Sequence, residues 1–226
     1  CTLSDRSNEI SLLAIQGPKT FETLEKINLG FKIKDIDYYS VETFSTDDGE
    51  IILARTGYTG EDGFEIFGSH EYIQKLWEEL MRNNVAPCGL GARDVLRLEV
   101  CYPLYGNELN DQITPYDCNL KWTVKLTKPN FIGKDFLTDY KSQSTLIKLI
   151  LEKGIPRAPY QVEDEDENIL GQITSGTMSV SLNKGIALAR INKNLYNPEK
   201  NIFVNIRGKK YPATVVKKPF VTGGHK

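Results

Sequence analysis

The chain has 226 residues, of which 40% are hydrophobic and 26% charged, with a net charge of −2 at pH 7 and a pI of about 5.8. This is the composition of a globular protein with one large domain or two ordinary ones. The weak negative charge excludes a strongly basic surface for nucleic acid or an anionic membrane, and no apolar run approaches the roughly 20 residues of a membrane-spanning helix. We therefore expect neither nucleic acid nor a membrane among its partners.

The first part of the chain predicts strands and helices in alternation. Apolar segments rich in β-branched and aromatic residues predict strands at residues 10–17, 36–44, 50–56 and 63–68. Apolar positions three and four residues apart predict helices at residues 18–27, 70–81 and 91–100, with a further short helix opening in 131–140. Such alternation is typical of an α+β or α/β domain. The strand at 10–17 is expected to be buried.

The predicted helix at 70–81 has a clear start and a clear inner face. Ser69 precedes it and is a favourable N-cap residue. Its apolar side chains form one stripe, made of Ile73, Leu76, Trp77, Leu80 and Met81. We expect this stripe to pack against the core.

The pattern changes near residue 143. Short strand-like segments follow at regular spacing, at residues 145–153, 168–176, 184–191, 201–210 and 211–216. Gly and Asn lie between them and no long helical pattern appears, which predicts an all-β barrel or sandwich. We place the boundary within residues 138–144, which gives domains at 1–142 and 143–226.

The stretch ARTGYTGEDGFEIF, residues 54–67, carries three glycines at a spacing of three. A phosphate-binding loop needs backbone N–H groups at a helix N-terminus and a nearby Lys or Arg. Here Glu61 and Asp62 would repel phosphate, and the chain after Gly63 alternates like a strand. The pattern therefore indicates a tight hairpin turn whose glycines permit positive φ.

Glu65 lies inside the predicted strand that follows, between Phe64 and Ile66. Successive side chains of a strand point to opposite faces, so Glu65 faces solvent or a cleft if both neighbours face the core. A solvated glutamate is the commoner outcome at such a position. If a ligand is present, the two acceptor oxygens suit a flat edge with two N–H donors, such as an aminopyrimidine or a pterin.

Arg93 and Arg97 lie four residues apart on the predicted helix at 91–100, close to Asp94 and Glu99. Salt bridges on a helix surface, each of little energetic value, are the simpler explanation. The functional alternative is an arginine that reaches a carboxylate or carbonyl of a ligand. Both interpretations remain open from these residues alone.

The chain holds few Cys and His side chains, namely Cys1, Cys88, Cys101, Cys118, His70 and a terminal His225. None form a CxxC pair, so we expect reduced thiols and no zinc site. The acidic run EDEDEN at residues 163–168 is similar to the start of a calcium loop, but Ile169 stands where that loop needs Gly and Ser175 where it needs Glu. We therefore expect a solvated hairpin turn there, and no bound metal in this protein.

Several motifs occur together in one order: LLAIQGP, ARTGYTGEDGFEI, GLGARDVLRLE, LYGNELNDQITP, FIGKDFL and TSGTMSVSLNKGIALARI. Jointly they resemble the T-protein of the glycine cleavage system, a tetrahydrofolate-dependent aminomethyltransferase, over nearly the whole chain. The resemblance implies an α+β class, with ferredoxin-like folate-binding lobes, incomplete here, followed by a C-terminal all-β barrel. It also implies transfer of a methylene group from the aminomethyl-lipoyl carrier protein to tetrahydrofolate, with release of ammonia.

The resemblance also implies roles for particular residues. Glu65 matches the family glutamate that holds the pterin edge of folate, and Arg93 matches a substrate-binding arginine. Tyr58 matches an aromatic residue that lines the folate pocket, as Tyr38 or Tyr39 does less closely. These are the binding residues that we expect, with tetrahydrofolate as cosubstrate and the lipoyl carrier protein as partner.

The chain departs from the family in its first part. Family members carry an upstream segment with the aspartate thought to be essential for catalysis, and these 226 residues contain no match to it. We expect this chain to be the C-terminal two-thirds of such an enzyme, without a catalytic residue of its own. Trp122 matches a common family aromatic that is either pocket wall or core. The resemblance further implies a cytoplasmic location, or the mitochondrial matrix in a eukaryote.

Two other functions remain open, besides a structural fragment that binds nothing until its missing part is restored. The first is the folate-accepting domain of a dimethylglycine- or sarcosine-type enzyme, although GYTGEDG and GLGARD favour the T-protein and no flavin-binding fingerprint is present. The second is a non-catalytic folate-binding module. Relatives of that kind carry a K-G-C-Y-x-G-Q-E motif, whereas the corresponding region here reads TKPNFIGKDF.

Overall fold

The computed structural model describes residues 2–222 and residue 224. Cys1 and His225 lie outside the described residues. The chain divides into two compact units, residues 1–96 with 222–226 and residues 97–221. A separate hydrophobic core lies in each unit.

The first unit is built on a four-stranded antiparallel sheet. Its strands are β1 (Ile10–Gln16), β2 (Val41–Thr46), β3 (Gly49–Ala54) and β4 (Gly63–Ser69). They lie in the order β1-β4-β3-β2. The helices are α1 (Thr20–Ile27), α2 (His70–Arg82) and α3 (Leu90–Glu99), and the last three residues of α3 belong to the second unit. The predicted helices at 18–27, 70–81 and 91–100 are confirmed apart from their ends.

One face of this sheet forms the core of the first unit. Its central side chains are completely buried, namely Ile51, Leu53, Phe64 and Ile66. Helix α2 packs on this face and starts where the sequence predicts, because the Ser69 hydroxyl accepts the N–H of Tyr72 at 3.2 Å. The opposite face of the sheet is left for other contacts.

Two burial predictions in this unit are only partly right. Of the apolar stripe on α2, Ile73, Leu76 and Leu80 are buried, but Trp77 and Met81 are 44% and 42% exposed. These two side chains lie at the border of the stripe and line a cleft instead of the core. Strand β1 is likewise buried on one face only, since Leu12 is half exposed.

The predicted strand at 36–44 begins only at Val41. Tyr39 has a φ of 64°, in the left-handed region that a strand does not contain. The Ser40 hydroxyl donates to the carbonyl of Asp37 at 2.7 Å and closes the turn. Tyr38 and Tyr39 therefore stand on a loop before β2.

The second unit contains a closed six-stranded barrel. Its strands are β5 (Ser144–Leu151), β6 (Gln161–Asp164), β7 (Ile169–Ser179), β8 (Lys184–Asn192), β9 (Ile202–Ile206) and β10 (Lys209–Val216). They close in the order β10-β5-β8-β7-β6-β9, so every strand is paired on both sides. The short helix α4 (Lys134–Asp139) precedes the barrel. The all-β prediction is thus confirmed as a barrel and not a sandwich.

Arg97 is buried in this unit, so a surface salt bridge was the wrong interpretation for it. Its exposed fraction is 1%, and its Nη1 donates to Oε2 of Glu108 at 3.1 Å while Nη2 donates to Ser175 at 2.8 Å. Glu108 is completely buried and also accepts the backbone N–H of Leu104 at 2.9 Å and the hydroxyl of Thr174 at 2.5 Å. The two buried charges are therefore both paired and hydrogen-bonded, as burial of charge requires.

The acidic run at 163–168 is only partly the solvated turn that the sequence suggests. Its first two residues belong to β6, where Glu163 and Asp164 are 5% and 3% exposed. Asp164 accepts the side-chain amide of Asn168 at 3.0 Å, the backbone N–H groups of Asp166 and Asn168, and the ammonium of Lys200 at 3.2 Å. The hydrogen bond from the Asn168 side chain has the largest effect on the pKa of Asp164. Together these bonds lower that pKa to about 2, although desolvation of the carboxylate raises it.

Removing one partner of the buried ion pair should destabilise the second unit strongly. Glu108→Ala leaves Arg97 buried without its counter-charge, so we expect the free energy of unfolding to fall by about 3–5 kcal/mol. Glu152→Ala is the control, because it breaks an exposed pair with Lys184 and should change that free energy by no more than about 1 kcal/mol. Urea denaturation measures both, and equal losses would contradict the structural role of the buried pair.

The turn at Asp164 should make stability depend on pH in acid. Its folded-state pKa of about 2 lies below the ordinary 3.8. Its contribution to the free energy of unfolding is therefore full above about pH 4 and is lost as the pH falls towards 2. We expect Asp164→Asn to unfold at lower urea concentration than wild type at neutral pH, with a difference that shrinks between about pH 4 and pH 2. The exposed Asp139→Asn controls for net charge. A difference that is constant with pH would exclude this contribution.

Candidate functional site

The sheet face opposite the core of the first unit carries Glu65. Because Phe64 and Ile66 are completely buried on the core side, alternation turns the half-buried Glu65 to the other side, as expected. On that face its neighbours across the two adjacent strands are Ala14 and Ala54. Residues directly opposite in an antiparallel pair share a face, so the methyl groups of Ala14 and Ala54 flank the carboxylate.

Thr56 holds one oxygen of this carboxylate. Its hydroxyl donates to Oε2 of Glu65 at 2.5 Å. Within residues 2–222 no hydrogen bond reaches the other oxygen, Oε1, although the side chain is half buried. A half-buried carboxylate with a remaining acceptor is suited to a ligand that offers N–H donors.

The base of the glycine-containing loop is closed by an ion pair. Arg55 donates from Nη2 and Nε to the two carboxylate oxygens of Asp62 at 2.6 and 3.1 Å. The hydrogen bond to Asp62 raises the pKa of Arg55, so the guanidinium keeps its charge. Arg55 also donates to the carbonyl of Ile36 at 2.9 Å. Asp62 therefore has a structural role.

Tyr58 and Arg93 contact each other. The guanidinium carbon of Arg93 lies 4.9 Å from the centroid of the Tyr58 ring. This is a cation–π contact. Arg93 stands near the start of α3 and Tyr58 on the loop between β3 and β4, so two separate elements contribute to the pair.

Tyr38 and Trp122 are the two remaining aromatic candidates. Tyr38 is 39% exposed and packs edge-on against Tyr39, with ring centroids 4.8 Å apart. This contact does not bring it to Glu65, and its role stays a prediction. Trp122 is in the second unit and 71% exposed. The core interpretation of Trp122 is therefore wrong.

A cleft of about 210 Å³ lies beside Arg93 in the first unit. Apolar side chains of β1, α2, α3 and residues 85–88 form most of its lining, among them Trp77 and Met81. Its polar groups come from Gln16, Thr59 and Arg93. Pockets that enclose a drug-sized ligand measure about 300–1,000 Å³, so this cleft can take only part of such a ligand.

Among the described residues, no three His, Cys, Asp or Glu side chains are grouped so that they could hold a metal ion. Within the same residues, no helix combines the length and the apolar character that crossing a bilayer requires. Cys88, Cys101 and Cys118 are free thiols, and burial raises the pKa of Cys101 and of Cys118. Among the described residues, Glu65 is therefore not part of a cluster that could hold a metal ion.

Sequence reasoning missed the residues that support the site. Thr56, Arg55 and Gln16 stand in the quoted motifs, but their partners are 7 to 48 residues away along the chain. Local periodicity carries no signal for such contacts. The pairing of β3 with β4 brings Arg55 and Thr56 to their partners, and the pairing of β1 with β4 brings Gln16 to the loop.

Comparisons with known proteins match both parts of the chain. A family model described as the GCVT N-terminal domain matches residues 1–128, and one described as the glycine cleavage T-protein C-terminal barrel domain matches residues 145–222. An aminomethyltransferase of Prochlorococcus marinus is 42% identical over 234 residues, covering 99% of this chain and 62% of that protein. An aminomethyltransferase of Staphylococcus saprophyticus is 41% identical over 220 residues, covering 94% of this chain and 60% of that protein.

A solved structure agrees with these relatives. The crystal structure of glycine cleavage system aminomethyltransferase T from Bartonella henselae has a TM-score of 0.84 and 30% identity, covering 95% of this chain and 60% of that one. The chain spans about 62% of the length of the first curated relative. Matches of both family models and of the three-dimensional fold agree, and the chain therefore belongs to the glycine cleavage T-protein family.

Proposed function

We propose that this chain supplies the tetrahydrofolate-binding part of an aminomethyltransferase of the glycine cleavage system. The observation that carries the proposal is the half-buried carboxylate of Glu65, which keeps Oε1 available between two alanines while Thr56 holds Oε2. Its position in the motif GYTGEDGFE matches the family glutamate that holds a pterin edge. A pterin edge presents N–H donors and therefore fits this acceptor.

The proposed reaction moves the methylene group of an aminomethyl-lipoyl carrier protein to tetrahydrofolate and releases ammonia. Two substrates must meet in one orientation, so much of the rate enhancement comes from positioning. This chain's contribution is to bind and orient folate. We assign no residue in it to the chemical step, and the carrier protein is its proposed partner.

Each binding residue has a distinct task in this proposal. Glu65 accepts hydrogen bonds from the pterin edge, and a charged acceptor makes such bonds stronger than a neutral one does. Arg93 offers a planar fork of donors for a carboxylate or carbonyl of the ligand, and the Tyr58 ring holds that fork in place. Tyr38 is retained as a pocket residue on the resemblance alone.

We further propose residues 1–142 as the folate-binding region and residues 143–226 as the barrel domain. The two family matches support this, because one ends at residue 128 and the other begins at residue 145. The compact units divide at residue 97, so the proposed boundary is one of function and not of compactness. On family membership we propose the cytoplasm, or the mitochondrial matrix in a eukaryote, as the location.

Replacing Glu65 tests the proposal. We expect Glu65→Ala to weaken tetrahydrofolate binding by more than about tenfold, because buried pterin donors would lose their acceptor. Isothermal titration calorimetry measures the dissociation constant. Glu42→Ala, which removes an exposed carboxylate from the same sheet, is the control and should bind as wild type does.

Two results would count against the proposal. Unchanged affinity in Glu65→Ala would remove Glu65 from the site. An equal loss in Glu42→Ala would show that the effect comes from net charge alone.

A further inference from the structure

Gln16, the last residue of β1, contacts both ends of the loop between β3 and β4. Its Nε2 donates to the carbonyl of Thr56 at 3.0 Å and to the carbonyl of Phe64 at 3.3 Å. Its Oε1 accepts the hydroxyl of Thr59 at 3.4 Å, from the middle of the loop. One side-chain amide thus joins the start, the middle and the end of residues 56–64.

The glycines of this loop leave room for that amide. A Cβ at position 57 would lie 1.8 Å from Oε1 of Gln16, and a Cβ at position 63 would lie 2.7 Å from its Cδ. Gly60 has a different reason, because its φ is +76°, in the left-handed region that favours glycine. The even spacing of the three glycines therefore combines two constraints, close approach of a side chain and positive φ.

The bonded carbonyls stand next to the proposed folate-binding residues. Thr56 donates to Glu65, and Phe64 precedes Glu65 in β4. Tyr58 lies between the two bonded positions and contacts Arg93. The amide of Gln16 is therefore bonded to the backbone on both sides of Tyr58, next to the acceptor and its hydroxyl partner.

We propose that Gln16 is a positioning residue for folate binding: its amide fixes the loop 56–64 so that Tyr58, Thr56 and Glu65 present one preformed surface to the ligand. This inference rests on the proposed function, since the ligand is the folate assigned there. Gln16 holds the loop through donated hydrogen bonds and not by filling space. A preformed loop has less conformational entropy to lose when the ligand binds.

Gln16→Met separates hydrogen bonding from volume, because Met is of similar size, carries no charge and has no N–H donor. We expect its dissociation constant for tetrahydrofolate to rise about tenfold, the size of one lost net hydrogen bond, at a temperature where the protein is fully folded. Ile73→Val, a core change in α2 that costs about 0.5–1.5 kcal/mol of stability, is the control and should leave the constant unchanged. Wild-type affinity in Gln16→Met would overturn the proposal.

A double-mutant cycle tests the contact itself. In wild type, Gly57→Ala must displace the amide of Gln16, so we expect it to weaken binding as Gln16→Met does. In a Gln16→Ala background the space is open, and Gly57→Ala should then change the dissociation constant by less than about twofold. Equal costs of Gly57→Ala in both backgrounds would contradict the proposal.

Gly63→Ala is the matched control for this suppression. Its Cβ would meet the backbone carbonyl oxygen of Ile15 at 2.5 Å, which no substitution at Gln16 can remove. We expect Gly63→Ala to weaken tetrahydrofolate binding in both backgrounds. If Gln16→Ala suppressed this effect, the effect at position 57 could not be assigned to a clash with the amide.

The outcomes separate this inference from the proposed function. If Glu65→Ala weakens folate binding and Gln16→Met does not, only the role of Gln16 fails. If wild type binds no tetrahydrofolate, the proposed function fails and the role of Gln16 fails with it. Thermal unfolding of the same variants shows whether each one is folded during the titration.

Discussion

The candidate site depends on the alternation of β4. Phe64 and Ile66 are completely buried in the core of the first unit, and the geometry of a strand then leaves Glu65 only the opposite face. The same register sets Ala14 and Ala54 beside it and puts Gly63 opposite Gln16. A shift of one residue would bury the carboxylate among aliphatic side chains, at a cost that no hydrogen bond there would offset. The hydrophobic core therefore determines where the acceptor stands.

The loop before β4 shows how a glycine-rich segment can be rigid. Glycine raises the entropy of the unfolded chain, so a loop with three of them is costly to order. Here two of the glycines make room for a hydrogen-bonding side chain, and the Arg55–Asp62 pair closes the base. These contacts with β1 offset part of the entropy that the loop loses on folding, and in our proposal they position Tyr58 and Thr56.

Much of the fold was predictable, and each failure has a physical cause. The α2 N-cap at Ser69 and the strands around Glu65 follow from capping and periodicity, which are local properties. Burial of Arg97 was not predictable, because its partners Glu108 and Ser175 are 11 and 78 residues away. Strand β6 escaped notice because three of its four residues are polar. At the site, the family resemblance named Glu65 and Arg93, whereas their supports Thr56 and Gln16 needed the three-dimensional pairing.

The most direct measurement is a crystal structure of this protein with tetrahydrofolate bound. The proposed role of Glu65 predicts pterin N–H groups about 2.7–3.2 Å from its Oε1, with the Thr56 bond to Oε2 retained and the Tyr58–Arg93 pair beside the ligand. A pterin bound elsewhere, with Glu65 contacting only Thr56, would contradict it.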